Sequence, residues 1–277
     1  MTAHAPLRAR PRWTANVRAS AEDFVSAWRK PPRRRLAPWS AGRIAVWIAY
    51  FVVLVCFISW MLDVDTVRIL GGGTGEHVVF FRYLTMLGAS GYIFVLCAAA
   101  ALACAAWRGR AASARARIGL TLLRQRAVYV FSVVAVSGLL SQIFKHLLGR
   151  ARPKLMDQFG AWHFEFFSVK ATLASMPSGH ATTAFATAAA LGYFLPRLRM
   201  PLLIVAVLVG LSRVFLDTHY MSDVFAGAEL GMVSAVIIAR AFAARRIAFG
   251  IVGGNAAVRG RGLCLAAWRE FWQRRAA

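Results

Sequence analysis

The stretch VYVFSVVAVSGLLSQIF, residues 128–144, carries no charged side chain, and KHLLGRARP, residues 145–153, follows it directly. An uncharged run of this kind approaches the ~20 apolar residues that carry a helix across a bilayer. The polar run behind it then sits at the mouth of a membrane span. Similar runs cover Ile44–Leu62, Ala89–Trp107, Ser178–Leu195, Leu202–Leu216 and Val224–Ala243. In lipid every backbone N–H and C=O must be satisfied within the protein, which favours helices over open sheet. The expected fold is all-α, an integral membrane bundle of six transmembrane helices over residues 44–243. A basic N-terminal segment, 1–43, precedes it, and a basic tail, 244–277, follows.

Hydrophobic residues make up 59% of the chain, charged residues 16%, and the formal net charge is +23. Because that charge flanks apolar spans, no nucleic-acid partner is expected; anionic lipid headgroups are. The N-terminal segment, the Arg108–Arg126 connection, the Pro196–Pro201 turn and the tail are all basic. With six spans they share one side, and the positive-inside rule makes that side the cytoplasm. Both termini are then cytoplasmic, in the cytoplasmic (inner) membrane. Within the first segment, Ser20–Trp28 reads either as a short helix capped by Ser20, with Phe24 and Trp28 on one face, or as part of a disordered basic tail. Trp268, Phe271 and Trp272 suggest an interfacial helix in the tail. The four cysteines propose neither a disulfide framework nor a metal site.

The remaining connections face outward, and they hold three polar clusters at the ends of spans three to six. The first is Lys145, six residues, then Arg152-Pro153. The second is Pro177-Ser178-Gly179-His180. The third is Ser212-Arg213, five residues, His219, three residues, Asp223. Lys145, Arg152 and Arg213 are three cations aimed at one region, and a phosphate dianion is their natural partner. Taken singly, each would pass for a basic residue anchored at the headgroups. Ser178 and Gly179 open a helix, whose free N–H groups suit an anion; Ser178 either caps that helix or donates to phosphate. His219 and Asp223, four apart, share a helix face, so the carboxylate orients the ring for attack. His180 supplies the complementary acid. The chemistry implied is phosphoryl transfer through a phosphohistidine, with the cations doing what a metal would do; no metal or other cofactor is expected.

These three clusters, in this order and spacing, resemble the signature of the type 2 phosphatidic acid phosphatase family, whose superfamily includes vanadium haloperoxidases and glucose-6-phosphatase. The resemblance covers roughly residues 130–240. It implies His219 as nucleophile, His180 as acid and base, and Asp223 as the residue orienting His219. Lys145, Arg152, Ser178, Gly179 and Arg213 become phosphate binders, and activity becomes magnesium-independent. Ala151 and Asp217 depart from commoner members beside the signature. The expected function is hydrolysis of a lipid phosphomonoester or pyrophosphate at the outer (periplasmic) face. Candidate substrates are phosphatidic acid, phosphatidylglycerol phosphate, undecaprenyl pyrophosphate and lipid A. A lipid phosphotransferase using the same intermediate is the alternative; a vanadate-dependent haloperoxidase and a headgroup-binding membrane protein are weaker rivals. Phe159, Trp162, Phe164, Phe166 and Phe167 crowd one outward loop, either to meet lipid or as plain packing. Gly227 and Gly231 mark a close helix contact, and Glu229 is an acid inside a span.

Overall fold

The computed structural model describes residues 12–32, 36–71, 76–111, 113–252 and 257–260. The tail helix expected around Trp268 lies outside them, as does Cys264. Nine helices occur among the described residues: α1 (Arg12–Arg29), α2 (Ala41–Leu70), α3 (Glu76–Met86), α4 (Ser90–Arg108), α5 (Ala114–Leu148), α6 (Met156–Phe159), α7 (Gly179–Gly192), α8 (Arg199–Phe215) and α9 (Met221–Ala244). An antiparallel hairpin of β1 (Phe249–Val252) and β2 (Ala257–Gly260) follows, an addition to the all-α expectation.

Among the described residues, five segments are long and apolar enough to cross a membrane: Ala41–Leu70, Val78–Arg108, Ala114–Leu148, Pro196–Phe215 and Met221–Ala244. The chain is a multi-pass membrane protein. The stretch expected as a fourth span differs. Its helix, α7, has 14 residues, about 21 Å at 1.5 Å per residue, short of the ~30 Å hydrocarbon core. It lies at the centre of the bundle. Ala181, Thr182, Thr183, Ala184, Ala186, Ala188 and Ala190 are buried, with α5, α8 and α9 packed around it. Small side chains give this stretch its apolar reading and also let its neighbours close in.

Glycine makes the closest approach. A Cβ on Gly227 of α9 would stand 2.5 Å from the Ser178 carbonyl oxygen, and one on Gly231 would stand 2.5 Å from that of Thr182. The backbones of α7 and α9 therefore touch along the expected glycine pair. One turn further along α9, the Tyr129 hydroxyl of α5 donates to the Ala235 carbonyl at 2.9 Å.

Several helices run past the bounds their apolar runs suggest. α2 continues eight residues beyond Leu62, so Asp63 is helical and buried. α5 begins at Ala114, where the Ser113 hydroxyl accepts from the Ala116 N–H at 3.1 Å. Its first turns carry Arg115, Arg117, Arg124 and Arg126, because arginine is a good helix former and hydropathy does not mark such turns. α1 likewise starts at Arg12; Ser20 is buried in mid-helix and does not cap it. That helix docks on the basic end of the bundle. Asn16 donates to the Ala106 carbonyl at 3.1 Å, Arg108 pairs with Asp23 at 2.7 Å, and Trp28 lies edge-on to Phe242 at 5.3 Å.

Candidate active site

The opposite end of the bundle gathers the C-termini of α5 and α8 with the N-termini of α7 and α9. α5 stops at Gly149, in the left-handed region at φ 61°, and its N–H bonds the Lys145 carbonyl at 2.9 Å. A Cβ there would overlap the Glu165 carbonyl oxygen at 1.6 Å, so glycine alone fits the turn. The chain leaves it extended. Ala151 N–H donates to the His163 carbonyl at 3.0 Å and Arg152 N–H to that of Thr172 at 3.1 Å.

The three polar clusters meet here. A Cβ built on Gly179 would lie 3.9 Å from Lys145 Nζ, which joins the first cluster to the second. The Ser178 N–H donates to the Asp223 carbonyl at 2.9 Å, joining the second to the third. Arg152 Nη1 reaches the Thr218 carbonyl at 3.4 Å, joining the first to the third, while its Nε bonds the Ala171 carbonyl at 2.9 Å. Arg213 Nη1 donates to Thr85 Oγ1 at 2.9 Å. The Arg213 carbonyl accepts from the N–H groups of Thr218 and His219, at 3.1 and 3.3 Å, fixing the turn that delivers His219. His180 lies within electrostatic reach of Arg213, His219 and Lys145, and Gly88 abuts it, with room for no Cβ.

Ser178 occupies the N-cap position of α7 but makes no capping hydrogen bond. Of its two readings, capping is therefore excluded. Its buried hydroxyl has no hydrogen-bond partner, and neither have the Ser141 hydroxyl or Arg213 Nε. Such groups are costly unless something accepts from them.

His219 precedes α9 and does not share a helix with Asp223, contrary to the four-residue spacing read as helical. Tyr220 is the N-cap, and Asp223 in the first turn accepts from its N–H at 2.9 Å. His219 Nδ1 stands 3.8 Å from Asp223 Oδ2, an electrostatic contact too long for a hydrogen bond. Burial pushes the His219 pKa down to about 4; the Asp223 charge opposes this, while Lys145 and Arg213 add to it. The ring is neutral at pH 7.

Sequence reasoning passed over what stands behind Asp223. Arg150 is 1% exposed and donates through Nη1 to Asp223 Oδ1 and through Nη2 to Asp63 Oδ2, both at 2.7 Å. The same guanidinium reaches the Ala161 carbonyl at 2.8 Å and lies 4.3 Å from the Tyr220 ring centre. Asp63 also accepts from the Ser222 N–H at 2.9 Å, the Ser222 hydroxyl at 2.6 Å and the Ser59 hydroxyl at 2.7 Å. The Ser175 hydroxyl donates to Asp223 Oδ2 at 2.6 Å. Burial alone would lower the Arg150 pKa, but Asp223 and Asp63 together raise it. The one hint in the sequence was a carboxylate directly after an apolar run.

The aromatic loop divides in two. Trp162 Nε1 bonds the Ser59 hydroxyl at 3.1 Å, and Phe164 lies 5.7 Å from the Arg150 guanidinium, so both brace the site. Phe166 and Phe167 are 64% and 78% exposed. Among the described residues no three His, Cys, Asp or Glu side chains gather as a metal site.

Residues 126–247 match the PAP2 superfamily. The match covers under half of the chain. The PAP2 stretch contains every signature residue, whereas Asp63 and Thr85 lie outside it. The chain is 40% identical over 116 residues to a lipid A 1-phosphatase of Rhizobium etli, covering 40% of this chain and 50% of that protein. It is 30% identical over 113 residues to phosphatidylglycerophosphatase B of Bacillus subtilis, covering 36% of this chain and 50% of that one. It thus spans about half the length of the curated relatives it matches. The crystal structure of a transmembrane PAP2 type phosphatidylglycerolphosphate phosphatase from Bacillus subtilis has the same fold, with a TM-score of 0.50 and 22% identity. That match covers 69% of this chain and 91% of that one.

Proposed function

We propose that this protein is a membrane lipid phosphatase that hydrolyses a lipid phosphomonoester or pyrophosphate through a phosphohistidine. The observation that carries the reading is the convergence of Lys145, Arg152 and Arg213 with two histidines, beside buried donors that lack acceptors. A phosphate group would answer all of them. Its oxygens would accept from the three cations, the Ser178 hydroxyl and the free N–H groups opening α7.

In the first step the free Nε2 of His219 attacks phosphorus, the bond from phosphorus to the lipid oxygen breaks, and His180 gives that oxygen a proton. In the second, His180 takes a proton from water. The hydroxide attacks phosphorus, the N–P bond breaks, and phosphate leaves with His219 restored. Asp223 steadies the positive charge that the His219 ring carries between the steps. The cations stabilise charge on the equatorial oxygens, the usual main source of rate in such transfers. No step calls for a metal.

The basic end carries Arg108, Arg124, Arg197, Arg240 and Arg245, which supports a cytoplasmic assignment for it and an outward-facing site. Lipid A is the first substrate to try, given the Rhizobium etli relative; phosphatidylglycerol phosphate, phosphatidic acid and undecaprenyl pyrophosphate follow. The test is phosphate release from these lipids by the full chain in detergent with chelator present. Turnover that His219→Ala and His180→Ala each lower by ~10⁴-fold or more is expected. Wild-type turnover in either variant overturns the reading, and label passing to a second lipid in place of water would make the protein a phosphotransferase.

A further inference from the structure

Asp223 meets His219 on one side and Arg150 on the other. If Arg150 were its one partner there, the pair would be neutral, and little negative charge would remain to support a cationic ring on His219. Asp63 changes that balance. Two carboxylates and one guanidinium, each 0–1% exposed, form a continuous row of net charge −1. Every acceptor face of the row away from His219 is occupied: Ser175, Ser222, Ser59 and the N–H groups of Tyr220 and Ser222 all donate into it.

We infer that Asp63 and Arg150 are positioning residues of the active site, which act on His219 through Asp223 by fixing its carboxylate and keeping the buried row anionic. The inference rests on the phosphatase reading and extends it to α2, outside the PAP2 stretch. Its reasoning is electrostatic. When Nε2 of His219 bonds to phosphorus, the imidazole gains positive charge, and in a buried setting that charge needs a fixed counter-charge. The other groups facing His219 are His180 from α7, Lys145 from α5 and Arg213 from α8. The cations there favour the phosphate and oppose a cationic ring. Asp223, at the end of the anionic row, is the acid whose charge reaches the ring. Geometry adds to it. Arg150 grips Oδ1, while Ser175 and the Tyr220 N–H grip Oδ2, so the carboxylate cannot rotate away as the ring charges.

Asp63→Asn tests this with the full chain in detergent, on whichever lipid the wild type hydrolyses. It removes one negative charge at nearly constant volume and leaves the row neutral. kcat should fall by on the order of 10- to 100-fold, with KM changed less than about threefold because the phosphate cradle is untouched. The acid limb of kcat/KM should move to lower pH, since a weaker counter-charge makes the His219 ring harder to protonate. A merely structural role would leave that limb in place. Wild-type kcat with an unmoved limb overturns the inference. Should Asp63→Asn fail to fold, the pair Asp63→Leu with Arg150→Met removes one charge of each sign, a replacement that buried ion pairs often tolerate. There the cation bonded to Asp223 goes along with the anion beyond it, so kcat should fall with the limb moved to higher pH, and wild-type kcat with an unmoved limb again overturns the inference. A wild type silent on every lipid defeats the phosphatase reading itself, and the inference falls with it.

Discussion

His219 stands between two charged regions built on opposite plans. On one side Asp63, Arg150 and Asp223 are closed to solvent, and each charge has partners fixed by the fold. On the other, Lys145, Arg152 and Arg213 converge, and buried donors beside them find no acceptor. The first arrangement is complete as it stands. The second is complete only around an anion. The difference separates charge that holds a protein in shape from charge held ready for a ligand.

Four measurements would break or sharpen that contrast. The largest effect is expected from Arg150→Met alone. It strands two carboxylates in the interior and should cost about 3–5 kcal/mol of stability, read as a lower thermal midpoint in detergent. A midpoint near the wild type's would show that the closed side does not depend on its arginine. Lys145→Met on the open side should behave in the reverse way. Its thermal midpoint should hold while kcat/KM drops by on the order of 10²-fold, about 2.7 kcal/mol in transition-state binding. Gly231→Ala forces α7 and α9 apart at the seam joining the two sides, at a cost of about 1–3 kcal/mol. Loss of stability together with loss of activity would bear that out. The smallest effect is that of mild acid. His219, pushed down to about 4, keeps its lone pair as pH falls and loses it only when pH passes through that value. After correction for the substrate's own second ionisation near pH ~6, kcat/KM should hold to about pH 5. A limb near 6.5 would mean that the ring is solvated.

The open side was legible in the sequence, and the closed side was not. Lys145, Arg152, Ser178, Gly179, His180, Arg213 and His219 sit at recognisable spacings where apolar runs end, so residue type and position pointed the same way. Asp63 and Arg150 are 87 residues apart, and nothing local marks them as partners. Asp63 gave no signal of being helical because hydropathy ends the first run at Leu62, while the helix continues to Leu70. Hydropathy also could not show that α7 is the central helix, since alanine and threonine score as membrane-compatible whether they face lipid or the backbone of another helix. The Gly227 and Gly231 contact was readable because only a side chain of that size permits it. The placement of His219 ahead of α9 was not, because a four-residue spacing fits both a helix and a turn leading into one.

Asp63 lies on α2 and Thr85 on α3, both upstream of the stretch that kinship defines. A fragment trimmed to residues 126–247 would carry the whole recognisable signature and still deprive Arg150 of one carboxylate and Arg213 of its hydroxyl acceptor. Sequence likeness and mechanics therefore draw different borders around the same site, and grafting the shorter unit onto another scaffold would transplant the motif without its foundations.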